Sequence, residues 1–223
     1  MTKRVAFFDI AGTLVDTNPW KYLLQHPDIS AECRRSVNLR FLPTWVGTKI
    51  GLLNDTTFRN RWLHLMAGVF DGWTKSQRDA LFDWVVTDKM ANTYRSESVA
   101  RLQQHHADGD HVVLVSGMFS ELGAAFAHKL GADAALGSEL AEQGNVCMGH
   151  LALEPCVGPR KLDYIRQYLA KNDLSTEMSN HFAYADSFSD LPMLEAVGNP
   201  VATFPDDALR TVAQTRGWAV LPA

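Results

Sequence analysis

Apolar runs and polar breaks divide this 223-residue chain into three textures. Near the start, Val5-Ala6-Phe7-Phe8 is continuously apolar, stops at Asp9, and apolar character returns at Leu14-Val15 after Ala11-Gly12-Thr13. A short run of this kind predicts a strand buried on both faces of a parallel sheet, with Asp9 at its carboxyl end and a tight loop behind it. From residue 19 to 99 the period changes to three and four. Phe58, Trp62, Leu65 and Met66 recur after Asn54-Asp55, and Leu81, Trp84 and Val85 share a face after the capping box Thr74-Lys75-Ser76-Gln77. Pro43 and the Gly47/Gly51 pair punctuate an earlier helix or helix pair, so about four packed helices are predicted there.

After Ser96, short apolar runs alternate with helical patterns. His111–Val115 reads as a strand followed by Ser116-Gly117-Met118 and a helix from Phe119 to Leu130. Ala134-Ala135-Leu136 is a further strand, and Gln143-Gly144-Asn145 turns a small hairpin. Pro159 opens a helix through Leu162, Ile165 and Leu169. The run His181–Ala185 ends at Asp186, and Val201–Thr203 and Trp218–Leu221 close the series. Strands alternating with helices predict an α/β fold, a Rossmann-like doubly wound parallel sheet, whose ligands bind beyond the carboxyl ends of the strands. The helical segment then reads as an inserted helical-bundle cap over residues 19–99, with the core formed by 1–18 and 100–223.

Composition sharpens that division. Residues 20–101 carry 12 Lys/Arg against 8 Asp/Glu, whereas the rest carries 9 against 17, out of 21 and 25 in all. Trp20, Trp45, Trp62, Trp73 and Trp84 also fall in the middle segment, leaving only Trp218 outside it. A composition shift with both edges inside the chain suggests an insertion. At 46% hydrophobic residues, the chain can bury one large core and one smaller one. A net charge of −4 argues against nucleic acid as the main partner. No run of about 18 apolar residues suggests a membrane span. The basic start Met1-Thr2-Lys3-Arg4 leads into an apolar stretch that Asp9 cuts too short for a secretory signal. Cys33, Cys147 and Cys156 form no disulfide framework or metal spacing, which suits a reducing cytoplasm.

Three strand ends carry chemistry: Asp9 after the first, Ser116-Gly117 after the second, and Asp186 with Asp190 after a later one. Lys161 lies between them near the start of its helix. A carboxylate nucleophile, a hydroxyl with free N–H groups, a cation and a metal-binding carboxylate are what phosphoryl transfer needs, because its catalysis is chiefly positioning and charge neutralisation. Asp9-Ile10-Ala11-Gly12-Thr13, Val113–Gly117, Cys156–Lys161 and Tyr184–Leu194 resemble, in order, motifs I to IV of the haloacid dehalogenase (HAD) superfamily. The nearest likeness is to its phosphoserine-phosphatase-like class (subfamily IB), whose helical C1 cap is inserted between motifs I and II.

The resemblance implies a HAD-like core, Asp9 as nucleophile, and Lys161 as the catalytic cation. It implies phosphate binding by Gly12, Thr13, Ser116, Gly117 and Lys161, and Mg²⁺ held by Asp9, the Ala11 carbonyl and Asp186, with Asp190 behind them. The expected partner is a small phosphorylated metabolite, and the expected activity a phosphoric monoester hydrolase working through an aspartyl-phosphate.

Position 11 departs from the pattern, which there has an Asp acting as general acid and base. Alanine, native or introduced, keeps the carbonyl but removes the proton relay, so turnover should be impaired by about 10²–10⁴-fold. Two alternatives remain. Phosphonoacetaldehyde hydrolases of the same superfamily share Asp-x-Ala-Gly-Thr and use a cap lysine, here Lys49. A catalytically weak phosphate-ligand binding or regulatory module would also tolerate Ala11. Asp16 reads as a helix cap rather than a replacement acid. The stretch His105–His111 reads as an exposed turn, and the basic cap residues Arg34, Arg35, Arg40, Arg59 and Arg61 as a solvated face able to attract an anion.

Overall fold

The computed structural model describes residues 3–222; Met1, Thr2 and Ala223, at the ends of the two expected core segments, lie outside the described residues. β1 (Val5–Phe8) is fully buried and is followed by the helical segment: α1 (Trp20–Leu23), α2 (Ala31–Lys49), α3 (Asp55–Ala67) and α4 (Lys75–Trp84). α5 (Ser96–Ala107) returns the chain to β2 (His111–Phe119), α6 (Ser120–Leu130) and β3 (Ala134–Ser138). The hairpin β4 (Leu140–Gln143) and β5 (Val146–Leu151) precedes α7 (Arg160–Lys171), β6 (Phe182–Ala185), α8 (Leu191–Ala196), β7 (Asn199–Thr203), α9 (Asp207–Arg216) and β8 (Ala219–Leu221).

Six strands form one parallel sheet in the order β3-β2-β1-β6-β7-β8. The chain builds outward from β1 to one side, then crosses back to build the other. That reversal puts a crevice beyond the carboxyl ends of β1, β2 and β6, where an open α/β sheet binds its ligands. The predicted doubly wound sheet is therefore present, with helices on its faces.

The helices have local causes. Asn54 caps α3 by accepting from the Thr57 N–H at 2.8 Å. The Thr74–Gln77 capping box closes at the start of α4, each side-chain oxygen accepting from the other residue's N–H, which has no partner inside the helix. Pro43 does not break the chain into a helix pair as its position suggested; α2 runs through it for 19 residues. The carbonyl that loses its donor belongs to Leu39, a residue 71% exposed, so water can take the place of the missing N–H.

A large and a smaller core exist, but the sheet separates them rather than a domain boundary. One contains Phe8, Leu114 and Phe126 together with Leu63, Phe70 and Phe82 of the helical segment. The other holds Phe7, Val113 and Ile165 on the opposite face. The helical segment thus completes the sheet's own core. Polar contacts reinforce the union: fully buried Arg78 of α4 donates to the Trp73 carbonyl and pairs with Glu121 of α6 and Glu142 of β4. The Gly72 and Lys75 N–H groups bond to the Cys147 and Asn145 carbonyls of the hairpin. Among the described residues no helix is long and apolar enough to cross a membrane, and Cys33, Cys147 and Cys156 are all free.

Candidate active site

Asp9 leaves β1 directly into a loop tightened by the Gly12 N–H to Val15 carbonyl bond at 2.8 Å. Gly12 sits at φ 93°, where only glycine is at ease, and a Cβ on it would lie 2.0 Å from an Asp186 carboxylate oxygen. The loop can therefore press its backbone against Asp186. Thr13, fully buried, donates its hydroxyl to Asp186 Oδ1 at 3.0 Å. That bond commits the Thr13 hydroxyl to orienting a carboxylate, while Gly12 faces the cleft.

Lys161, on the first turn of α7 and buried, joins the carboxylates. Its Nζ donates to Asp9 Oδ1 at 2.6 Å and to Asp190 Oδ2 at 2.8 Å, across sequence separations of 152 and 29 residues. Burial alone would lower the lysine pKa, but Asp190 and Asp9 outweigh it and raise it, so the ammonium is held charged. Burial pushes Asp9 upward, with Asp190 adding to the push and Lys161 opposing it. Half-buried Asp186 is pushed up to about 7, first by desolvation and then by repulsion from Asp9. Asp190 begins α8 without capping it; its carboxylate faces Lys161 instead.

Ser116 and Gly117 come to the same cleft from β2. The strand is longer than the apolar run implied, continuing to Phe119 through an irregularity between Val115 and Phe119 that turns Ser116-Gly117-Met118 toward the cleft. The structure thus gathers Asp9, Ala11, Gly12, Ser116 and Gly117 around one opening, with Lys161, Asp186, Asp190 and Thr13 bonded to or pressed against them.

These residues suit Mg²⁺. Asp9 and Asp190 share the single ammonium of Lys161, and Asp186 lies near enough to be repelled by Asp9, leaving an excess of negative charge that a divalent ion would balance. The available donors are carboxylate and carbonyl oxygens, the hard ligands Mg²⁺ prefers. Among the described residues no three His, Cys, Asp or Glu side chains gather as a metal cluster. The fitting set is two carboxylates, Asp9 and Asp186, with the Ala11 carbonyl.

The opposite wall of the cleft, about 660 Å³ in volume, belongs to the helical segment. α3 turns Asp55, Phe58, Arg59, Trp62 and Leu63 inward, the i, i+3, i+4, i+7, i+8 face of one helix. Trp20 and Phe41 complete it. Trp20 meets Trp62 edge-on at 6.2 Å, Phe41 meets Trp62 at 4.6 Å, and Phe41 meets Phe58 at 4.9 Å. Arg59 pairs with Asp55 at 2.5 Å. Burial works to lower its pKa, yet Asp55, Asp190 and Asp9 together raise it. The periodicity of these aromatics was readable, but it pointed to core packing; that their shared face turns to an opening was not.

Several expectations change. Lys49 ends α2, is exposed, lies 6.0 Å from the Trp45 ring and does not line the cleft, so it lacks the desolvated setting a Schiff-base lysine needs. Of Arg34, Arg35, Arg40, Arg59 and Arg61, only Arg59 lines the cleft. Asp16 caps no helix: it accepts from the Thr17 hydroxyl and lines the cleft, while Asn18 receives the Trp20 N–H. The histidine-rich stretch is not a simple exposed turn. His105 and Asp110 are buried and bonded at 2.8 Å, with His105 also bonded to the Tyr184 hydroxyl at 2.8 Å and Asp110 to Arg4. His105 faces inward because it lies on the apolar side of α5, one turn from buried Leu102.

A family model described as haloacid dehalogenase-like hydrolase matches residues 6–195. A phosphoserine phosphatase of Mycobacterium tuberculosis is 33% identical over 143 residues, 64% of this chain and 44% of that protein. The chain spans about half the length of most curated relatives it matches. A histidinol-phosphatase of Neisseria meningitidis serogroup C is 24% identical over 98% of both chains. The crystal structure of a protein of unknown function from Bordetella pertussis Tohama I covers 99% of this chain and 98% of its own, with 26% identity and a TM-score of 0.81.

Proposed function

The chain belongs to the haloacid dehalogenase-like hydrolases, in the phosphoserine-phosphatase-like class, and we propose that it is a Mg²⁺-dependent phosphomonoesterase acting through Asp9. The observation that carries this reading is the ion pair of Lys161 with Asp9 at the carboxyl end of β1, beside Ser116 and Gly117 of β2. A buried carboxylate at a strand end, bonded on one oxygen only, keeps the other oxygen for attack on phosphorus.

In this reading residues 19–99 form the cap and residues 1–18 with 100–223 the catalytic core. Asp9, the Ala11 carbonyl and Asp186 would hold Mg²⁺, which when bound supplies positive charge to the phosphoryl oxygens. Thr13 fixes Asp186, Lys161 shares its charge between Asp9 and the transferred group, and Ser116 with the Gly117 N–H supports the equatorial oxygens. Asp190 holds Lys161 from behind. Asp9 attacks phosphorus, the ester oxygen leaves, and water releases phosphate from the aspartyl-phosphate.

Ala11 lines the cleft beside Asp9 and offers no proton to the leaving oxygen and no base to the water. Release of phosphate from Asp9 is therefore slow, transfer to Asp9 is slow where the leaving group is an alkoxide, and the covalent intermediate accumulates when the leaving group is a good one. The test is intact-mass measurement after exposure to acetyl phosphate and Mg²⁺. A phosphoryl adduct that disappears in Asp9→Asn is expected; no adduct under any condition would instead favour a phosphate-binding module. Across a panel including phosphoserine and histidinol phosphate, Ala11→Asp should gain roughly 10²-fold or more in turnover.

A further inference from the structure

We propose that the substrates this chain cleaves are aryl phosphates, in which an aromatic ring carries the ester oxygen. The proposal rests on the phosphomonoesterase reading and deepens it. Two independent observations meet in it: what stands next to Asp9, and what faces it across the cleft.

Next to Asp9 stands Ala11, whose methyl group has no proton to give. An alkoxide leaving unprotonated is a poor leaving group, whereas an aryl oxide spreads its charge into the ring and departs as the anion. Loss of the general acid therefore falls hardest on alkyl esters and lightly on aryl esters, a discrimination within the roughly 10²–10⁴-fold range of such catalysis.

Across the cleft stand Trp20, Phe41, Phe58 and Trp62, linked edge-to-face into one apolar wall. Its rings are already fixed at interplanar angles of 65–88°, so an incoming flat ring meets both ring faces and ring edges without reordering the side chains. A small polar group such as the serine moiety of phosphoserine would leave this wall bare. Arg59 of α3 lines the cleft paired with Asp55 and feels the charges of Asp190 and Asp9. It is positioned to meet the phosphate while the aromatics receive the ring.

The chemistry balances without a protein acid. A carboxylate oxygen of Asp9 forms a bond to phosphorus as the bond to the aryl oxygen breaks. The aryl oxide keeps the electron pair and takes a proton from solvent. Water then adds to phosphorus, the acyl-phosphate bond breaks, and Asp9 returns as carboxylate with inorganic phosphate.

The experiment uses the whole chain with Mg²⁺ and phenyl phosphates whose ring substituents vary the acidity of the phenol, beside phosphoserine as the alkyl arm and acetyl phosphate as the reference. Expected are a burst of phenol release equal to the enzyme concentration, a burst rate rising steeply with phenol acidity, and phosphoserine at least about 10²-fold slower. Trp62→Ala should raise KM for phenyl phosphate about 10-fold, with Trp62→Phe restoring most of it, while a far-ultraviolet circular dichroism spectrum matching that of the parent chain reports that the variant is folded. An adduct from acetyl phosphate together with phosphoserine cleaved as fast as phenyl phosphate, or a KM indifferent to Trp62, would overturn the aryl assignment and leave the phosphomonoesterase reading standing. No adduct and no phenol release would overturn both.

Discussion

The two walls of the cleft are built on opposite principles. The sheet side is a closed set of charges: Lys161 bonded to Asp9 and Asp190, and Asp186 held by Thr13, all at strand or helix ends. The helical side is an open set of rings, half-buried and joined only edge to face. Charges buried in a low dielectric tolerate few arrangements, because any unpaired member is costly. Aromatic surface tolerates many, because its interactions are weaker and less directional. In the proposed function the first wall carries the reaction and the second the choice of substrate.

The comparison breaks most sharply at Asp9. Asp9→Asn should eliminate the phosphoryl adduct in intact-mass spectra while the unfolding midpoint stays near that of the parent chain, since Lys161 keeps Asp190 as its partner. A marked loss of stability would mean that Asp9 is a structural ion and not a nucleophile in waiting.

Lys161→Met is the next largest effect and the reverse in kind. It strands Asp9 and Asp190 as buried carboxylates without their ammonium, a change that costs about 3–5 kcal/mol when one partner of a buried pair is removed. Denaturant titration should show the midpoint falling accordingly. No change there would show that the charges of the sheet side are solvated rather than interlocked.

Thr74→Ala should give the smallest effect. It removes the capping box of α4 on the helical side and lowers stability by about 1 kcal/mol, read from the same titration, with adduct formation unchanged. An adduct yield that fell with it would mean that α4 positions the charged wall as well, through Arg78 and its partners in α6 and β4.

Much of the sheet side could be read directly. The apolar run Val5–Phe8 and the interruption at Asp9 required a buried strand ending in a carboxylate, and the later apolar runs placed Ser116 and Asp186 at comparable ends. A strand end has one location in a parallel sheet, so local pattern translated into position. The helical side was less legible. Periodicity identified the face of α3 that carries Phe58 and Trp62, but an apolar helical face looks the same whether it meets a core or a cleft. Lys49, Asp16 and His105 show the same gap. Each lay where local rules suggested one role, and packing against a distant element assigned another.

By itself, then, the sequence determined the order of elements, the strand that carries Asp9, the capping of α3 and α4, and the absence of a side-chain acid at position 11. These follow from side-chain period, hydrogen-bonding capacity and covalent identity, which act within a few residues. Only the tertiary structure decided that Lys161 bridges Asp9 and Asp190, that Thr13 serves Asp186, that the helical segment shares its core with the sheet, and that four aromatic rings line the same cleft as Asp9. Those arrangements join residues up to 173 positions apart. They depend on how whole elements pack, which no local stretch of chain encodes on its own.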